Sequence, residues 1–326
     1  LVSDSCCPDN PDSPMHQEIL LSGQLFLSYF KEKLEDYLQS IQAAVSTDLR
    51  RNPAQVTFTD RDNSYFRKLL GRIPADLGRK MEYFISTGNL VSNSGLDLQQ
   101  VSGYSVVAER LNYLRFLAHF RSVHRGAFFA ELKTTTVRKL LPESWGFFCP
   151  VHTPDGAPCG LLNHLTHVCK VPLERPSREN DAALESTLFS LGVMPLERSA
   201  SRRTPNLLTV QIDGKWVGLI EPSRQLKEVA DKLRHLRAIR SDELNLPAFF
   251  EIVAVPESRG GLYPGLYIFT TPCRMMRPVL YLTDDSSIVT NTVPATKTFI
   301  GSFEQVYLDF AEKLDEVQAG VHGYWE

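Results

Sequence analysis

The sequence predicts an α+β fold of mixed helices and antiparallel sheets, and three observations carry that expectation. Helical and strand-like patterns come in blocks, without the strand-helix-strand rhythm of a doubly wound sheet. Two β-rich runs, Leu208–Ile212 and Lys215–Ile220, flank Asp213-Gly214, a dipeptide that favours a type I′ hairpin turn. The chain has 326 residues, 43% hydrophobic and 22% charged, enough for about two domains and unlike a disordered or fibrous chain. No apolar run approaches the roughly 18 residues needed to cross a bilayer, so no membrane partner is expected.

Residues 1–15, rich in Asp, Ser, Pro and Asn, read as a mobile linker with too little apolar area to fold alone. Leu1 is neither an initiator methionine nor the start of a secretion signal, so the chain reads as a piece of something longer. From Gln17 to Val45, Leu20, Leu21, Leu25, Phe26, Tyr29, Phe30, Leu34, Leu38 and Ile41 recur at helical steps, which predicts a long amphipathic helix. Shorter helices are expected over Tyr65–Leu70 and Asp76–Ile85, the latter ended by Thr87-Gly88-Asn89. Ser102 or Ser105 is expected to cap a helix carrying Val106, Val107, Leu111, Leu114, Leu117 and Phe120 to near Gly126. Phe147–Leu165 holds Pro150, Pro154, Gly156, Pro158 and Gly160 and reads as loop; Arg198–Pro205 reads as a solvated basic loop. After the hairpin, Pro222 opens a helix to about Ile239, and Phe249–Val255, Gly265–Phe269 and Pro278–Leu282 read as strands.

Formal net charge is -3, so any nucleic-acid surface must be local. One segment qualifies. Between residues 110 and 139 lie Arg110, Arg115, Arg121, Arg125, Lys133, Arg138 and Lys139 against Glu131 alone, interleaved with Phe116, Phe120, Phe128 and Phe129. Cations that hold phosphates beside planar rings that support bases are what nucleic-acid surfaces need; a solvated helix face followed by core aromatics gives the same composition. Cys149, His152, Cys159, His164, His167 and Cys169 offer zinc-ligand atoms, but without a paired CxxC and across a Pro/Gly-locked loop, so no stoichiometric zinc is expected. The six cysteines are too sparse for a disulfide framework and fit a reducing compartment. The short-spaced Asp60/Asp62 and Asp284/Asp285 sit in turn-like contexts, and neither a phosphate-binding GxxxxGK[ST] loop nor a GxSxG elbow is present.

Trp145-Gly-Phe-Phe-Cys-Pro-Val-His-Thr-Pro-Asp-Gly-Ala-Pro-Cys-Gly-Leu-Leu-Asn163 resembles the WG-x-x-CP-x-x-TP-[ED]-G-x-x-x-GL-x-N block of the second-largest subunit of multisubunit RNA polymerases, the bacterial β-subunit family. Leu111-Asn-Tyr-Leu-Arg-Phe-Leu-Ala-His-Phe-Arg121 is similar to its fork helix and Thr87-Gly88-Asn89 to its ATGN turn. Gly214-Lys-Trp-Val-Gly218, the helix from Pro222, Cys273-Arg-Met-Met-Arg-Pro278 and Ile300-Gly-Ser-Phe-Glu-Gln-Val306 follow in the family's order. The short loop from Arg125 to Lys139, and His-Thr-Pro-Asp-Gly in place of Glu-Thr-Pro-Glu-Gly, look most like the RNA polymerase I branch; polymerase II and III relatives usually carry the Glu form.

The resemblance implies a multidomain fragment: the linker 1–15, the helical end of the protrusion over 16–75, a fork domain over 76–170 and external domains over 171–326. It implies part of a DNA-directed RNA polymerase, a nucleotidyltransferase, that makes ribosomal RNA precursor in the nucleus and nucleolus. The segment would help form the active-centre cleft and touch template DNA and the RNA:DNA hybrid through Arg110, Arg121, Arg125, Lys133, Arg138, Lys139, His152, Asp155 and Asn163. It would carry no catalytic residue and bind no cofactor itself; magnesium would be held by the largest subunit, a partner along with the other polymerase I subunits. His152 stands where the family has Glu, replacing a negative group with an imidazole. The residues alone also leave open the same region of a polymerase II or III subunit, a free-standing zinc-bearing nucleic-acid module, and an assembly scaffold.

Overall fold

A computed structural model describes residues 6–56, 64–174, 177–196, 207–222, 224–239, 249–282, 295–311 and 324–325. The chain divides into two compact units: a helical unit, Leu20–Thr135 with Asp155–Leu162, and a sheet unit, Leu1–Ile19 with Thr136–Pro154 and Asn163–Glu326. Arg198–Pro205, Asp60, Asp62, Asp284 and Asp285 lie outside the described residues.

The helical unit is organised by α1 (Ser22–Arg51). Leu25, Phe26, Tyr29 and Phe30 of its predicted stripe pack with Met81, Phe84 and Leu90, and the rings of Tyr29 and Phe84 lie 4.9 Å apart. Further along, Leu38 is exposed, so the stripe outruns the surface that covers it. On α2 (Ser64–Arg72), Tyr65 Oη donates to Asp48 of α1 at 3.1 Å, and Arg72 pairs with the same carboxylate. α3 (Leu77–Thr87) supplies Met81 and Phe84 to the core. In the strand-free segment that follows, Ser92 and Ser94 both donate to Glu32 of α1.

The helix expected from Ser102 or Ser105 to near Gly126 is confined to α4 (Tyr113–His119). Asn112 sets that start, its side-chain oxygen accepting the Arg115 N–H at 2.8 Å. Ser105 instead donates its hydroxyl to the Ile85 carbonyl at 2.8 Å, and Val106 and Val107 stand outside any helix. β1 (Ser122–His124) and α5 (Phe128–Glu131) complete the segment.

After β2 (Leu162–His164), the sheet unit contains α6 (Arg178–Ser190), β3 (Met194–Pro195), β4 (Leu208–Ile212), β5 (Lys215–Ile220), α7 (Arg224–Ile239), β6 (Glu251–Val255) and β7 (Gly265–Phe269). Its five strands lie in the order β3-β5-β4-β7-β6, antiparallel except for the β4–β7 pair. At the hairpin, Asp213 has φ 48° and Gly214 φ 81°, the positive pair that a type I′ turn requires. Leu226, Val229, Ala230 and Leu233 of α7 and Leu184 and Leu188 of α6 join Val210, Ile220, Phe250, Ile252 and Leu266 in one core. That burial is the main stabilising term of the unit.

A second sheet joins β8 (Met276–Leu282), β9 (Ala295–Gly301), β10 (Phe310–Ala311) and β11 (Tyr324–Trp325) in the order β10-β11-β8-β9. Pro278 is tolerated inside β8 because β11 pairs only Leu280 and Tyr281, leaving its missing N–H beyond that ladder. After β9 comes α8 (Ser302–Val306), whose Glu304 is fully buried. Arg237 grips Glu304 through two bonds, at 2.7 and 2.8 Å, and Arg234 adds a third at 3.2 Å. Glu251, paired with Arg274, accepts the Phe303 and Glu304 N–H groups at 2.7 and 2.8 Å and so satisfies the start of α8.

The amino-terminal segment does not lie free of this unit from Cys6 onward. Cys6 bridges to Gly261, Ser13 and Met15 are buried, and the Ile19 N–H donates to the Cys273 carbonyl at 2.9 Å. Met15 is the reason: one large apolar side chain packs with Val253, Val255 and Phe303 and anchors the polar residues around it.

Candidate nucleic-acid interface

The predicted basic residues are divided between the units. Arg110, Arg121, Arg125 and Lys133 belong to the helical unit with Asp155; Arg138, Lys139, His152 and Asn163 belong to the sheet unit.

In the helical unit two guanidiniums lie over aromatic rings. Arg110 sits 4.2 Å from the Phe116 ring centre and Arg125 sits 4.8 Å from that of Phe129. Each ring is braced by a second: Phe116 meets Phe120 edge-on at 5.1 Å, and Phe128 meets Phe129 at 5.7 Å. Ring contact orients a guanidinium, and its planar fork of N–H donors has the geometry that phosphate oxygens match. The Arg125 backbone is fixed as well, its N–H donating to the Leu161 carbonyl at 2.9 Å. Lys133 is exposed.

Arg115 differs. Its Nε donates to Glu109 at 2.8 Å, and that bond, with the cation's charge, holds the Glu109 carboxyl below the usual carboxylate range. Glu109 lies one residue outside the window in which Glu131 is the lone acid, so the sequence count overstates the local positive charge. The Glu109 N–H donates to His119 Nε2 at 3.1 Å.

In the sheet unit, Arg138 closes a short turn over buried Val137, and Lys139 is exposed. Residues 147–149 run beside 164–166: the Cys149 N–H donates to the His164 carbonyl and the Thr166 N–H to the Phe147 carbonyl, both at 2.9 Å. This pairing brings His152 face to face with buried His164, ring centres 3.5 Å apart and planes within 8°. His164 Nδ1 lies 3.1 Å from the His152 carbonyl. Nothing in the spacing of the two histidines through a Pro/Gly-rich loop signals the stack.

The quoted motif residues also meet here. The Gly146 carbonyl accepts from Thr166 Oγ1 at 2.6 Å, the Trp145 carbonyl accepts from Gln305 Nε2 at 3.1 Å, and Arg277 Nε donates to Gln305 Oε1. The WG block, the Arg-Met-Met-Arg-Pro segment and the Gly-Ser-Phe-Glu-Gln segment therefore form one scaffold. Among the described residues, no group of three or more His, Cys, Asp or Glu is placed to hold a metal ion, and no helix is long and apolar enough to cross a membrane.

Residues 106–171 match the family described as "RNA polymerase Rpb2, domain 3", and residues 217–277 match "RNA polymerase I, Rpa2 specific domain". Over 326 residues, all of this chain and 26% of the relative, the sequence is 50% identical to DNA-directed RNA polymerase I subunit RPA2 of Eremothecium gossypii. It is 49% identical, over the same shares, to DNA-directed RNA polymerase I subunit RPA135 of Saccharomyces cerevisiae. Against DNA-directed RNA polymerase I subunit RPA2 of Homo sapiens it is 43% identical, over 100% of this chain and 27% of the relative. The chain thus spans about a quarter of the length of the curated relatives it matches. With both family matches in order along the chain and these identities across its whole length, the chain belongs to the family of RNA polymerase second-largest subunits, in its RNA polymerase I branch.

Proposed function

We propose that this chain acts as part of the second-largest subunit of DNA-directed RNA polymerase I, a nucleotidyltransferase. It helps to form the active-centre cleft and contacts template DNA and the RNA:DNA hybrid while ribosomal RNA precursor is made in the nucleolus. The relatives are polymerase I subunits by name, which supports the enzyme, the nuclear location and the other subunits, the largest among them, as partners. In this reading the segment binds no cofactor, is inactive alone, and leaves magnesium to the largest subunit.

The observation that carries the nucleic-acid role is the pair of stacked guanidiniums, Arg110 on Phe116 and Arg125 on Phe129, within the matched domain. Orienting two cations beforehand lowers the ordering cost of gripping a phosphate backbone. In the helical unit Arg121 and Lys133 add charge beside the assigned Asp155, and in the sheet unit Arg138, Lys139 and Asn163 are assigned nucleic-acid contacts of their own. His152, stacked on His164, presents an imidazole in place of the family's Glu. The test is polymerase I assembled with Arg110→Ala and Arg125→Ala together. Elongation complexes that dissociate faster as salt rises, from an enzyme of normal subunit composition, are expected; complexes as salt-resistant as the unsubstituted enzyme's would overturn the assignment.

A second reading has its own observation. Val106, Val107, Leu111, Tyr113, Leu114 and Phe120 are each more than 70% exposed, more apolar surface than a phosphate backbone would cover. In that reading the segment docks a protein partner, and the double substitution would reduce assembly rather than salt resistance.

A further inference from the structure

The sheet unit carries a cleft of about 200 Å3 whose lining includes Asp9, His16, Tyr263, Tyr267, Phe269 and Phe303. Tyr267 and Phe269, two apart on β7, stand on one face of the sheet, their rings parallel within 8° at 6.4 Å. Phe303 leans on both, at 5.9 and 6.2 Å, and His16 meets Phe303 edge-on at 5.4 Å. The Tyr267 hydroxyl donates to the Tyr263 carbonyl at 2.7 Å, which fixes the Tyr263 backbone at the cleft. Asp9 is exposed, and its carboxylate forms no ion pair among the described residues. Burial first, then electrostatic coupling to Tyr263 and Asp9, pushes the Tyr267 phenol up to about 12.

This aromatic cluster already holds one cation. The Arg274 guanidinium lies 4.3 Å from the Phe269 ring centre and is neutralised by Glu251. We propose that the cleft binds a second cation, an alkylammonium group presented as a lysine side chain by a partner polypeptide. Ring faces attract cations, and Asp9 supplies a lone counter-charge suited to a compact ammonium, whereas a guanidinium is best matched by a bidentate clamp. The volume suits one side chain, being below the range of about 300–1,000 Å3 of small-molecule sites, and the carboxylate repels phosphate, which sets the cleft apart from the nucleic-acid role.

The test titrates the full chain, with 13C-labelled tyrosine rings, with N-acetyl-lysine methylamide and with its uncharged counterpart N-acetyl-norleucine methylamide, followed by NMR. Saturable shifts at Tyr263 and Tyr267 are expected with the lysine probe, with the norleucine probe about tenfold weaker. Asp9→Asn, a surface change, is expected to weaken the lysine probe by about as much, and Tyr263→Leu to weaken it further with the fold intact by circular dichroism. Equal affinity for the two probes, an Asp9→Asn chain that binds as before, an arginine analogue that binds more tightly than lysine, or no saturable binding would each overturn the proposal.

Discussion

Arg277 lies directly against Gly146: a Cβ built on Gly146 would stand 2.6 Å from Arg277 Cδ and 3.0 Å from its Nε. Gly146 has φ +78°, so a side chain there meets backbone strain as well as the arginine. The Arg277 stem is held in turn by Gln305 and by the ring of Phe310, 4.8 Å from the guanidinium, and has little room to yield. Gly146→Ala is expected to destabilise the sheet unit by about 1–3 kcal/mol, read as a lower urea midpoint with an unchanged slope. An unshifted midpoint would show that the arginine moves aside freely.

Glu304 carries the charge of two buried arginines. Both Arg234 and Arg237 are at most 5% exposed, and Glu304 has no exposed surface. Glu304→Ala leaves two guanidiniums in a low-dielectric interior with one anion removed, which costs about 3–5 kcal/mol. Glu304→Gln, keeping shape and hydrogen-bond acceptance, is expected to lose less. Equal stability of the Ala variant and the unsubstituted chain in chemical unfolding would contradict this account of the α7–α8 contact.

The helical unit carries a pH dependence at Glu32. Burial alone would raise the Glu32 pKa, but hydrogen bonds from Lys33, Ser92 and Ser94 and the Lys33 charge outweigh it and hold the carboxyl down to about 2 from an ordinary 4.5. A carboxyl that binds its proton more weakly when folded contributes stability in full above the unfolded pKa. That contribution is lost as pH falls from about 4.5 toward 2. Glu32→Gln is therefore expected to flatten the decline in stability over this window while lowering stability at neutral pH. A variant whose pH profile runs parallel to the parent's would contradict it.

The elements legible in the sequence were those whose local chemistry agreed with their surroundings. Asp213-Gly214 names its own turn, and the α7 stripe from Leu226 to Leu233 finds one continuous core. The expected helix through Val106 and Val107 failed because apolar spacing is blind to a competing cap: Asn112 starts the helix seven residues after Ser105, whose hydroxyl is committed to Ile85. At the candidate interface the sequence supplies the cations but not their states. That Arg115 is paired with Glu109, that Arg110 and Arg125 rest on rings, and that His152 stacks on His164 are tertiary facts with no periodicity to announce them. The buried triad of Arg234, Arg237 and Glu304 spans 70 residues of sequence and was equally silent.

The central claim, that the stacked basic segment of the helical unit meets nucleic acid, is tested most directly by photo-crosslinking. Lys133, exposed and close in sequence to Arg125, is replaced by p-benzoylphenylalanine in assembled polymerase I, and elongation complexes on labelled template and transcript are irradiated. The account predicts a covalent adduct to template DNA or nascent RNA that diminishes as salt is raised. Adducts only to another polypeptide, with none to either strand at low salt, would contradict it.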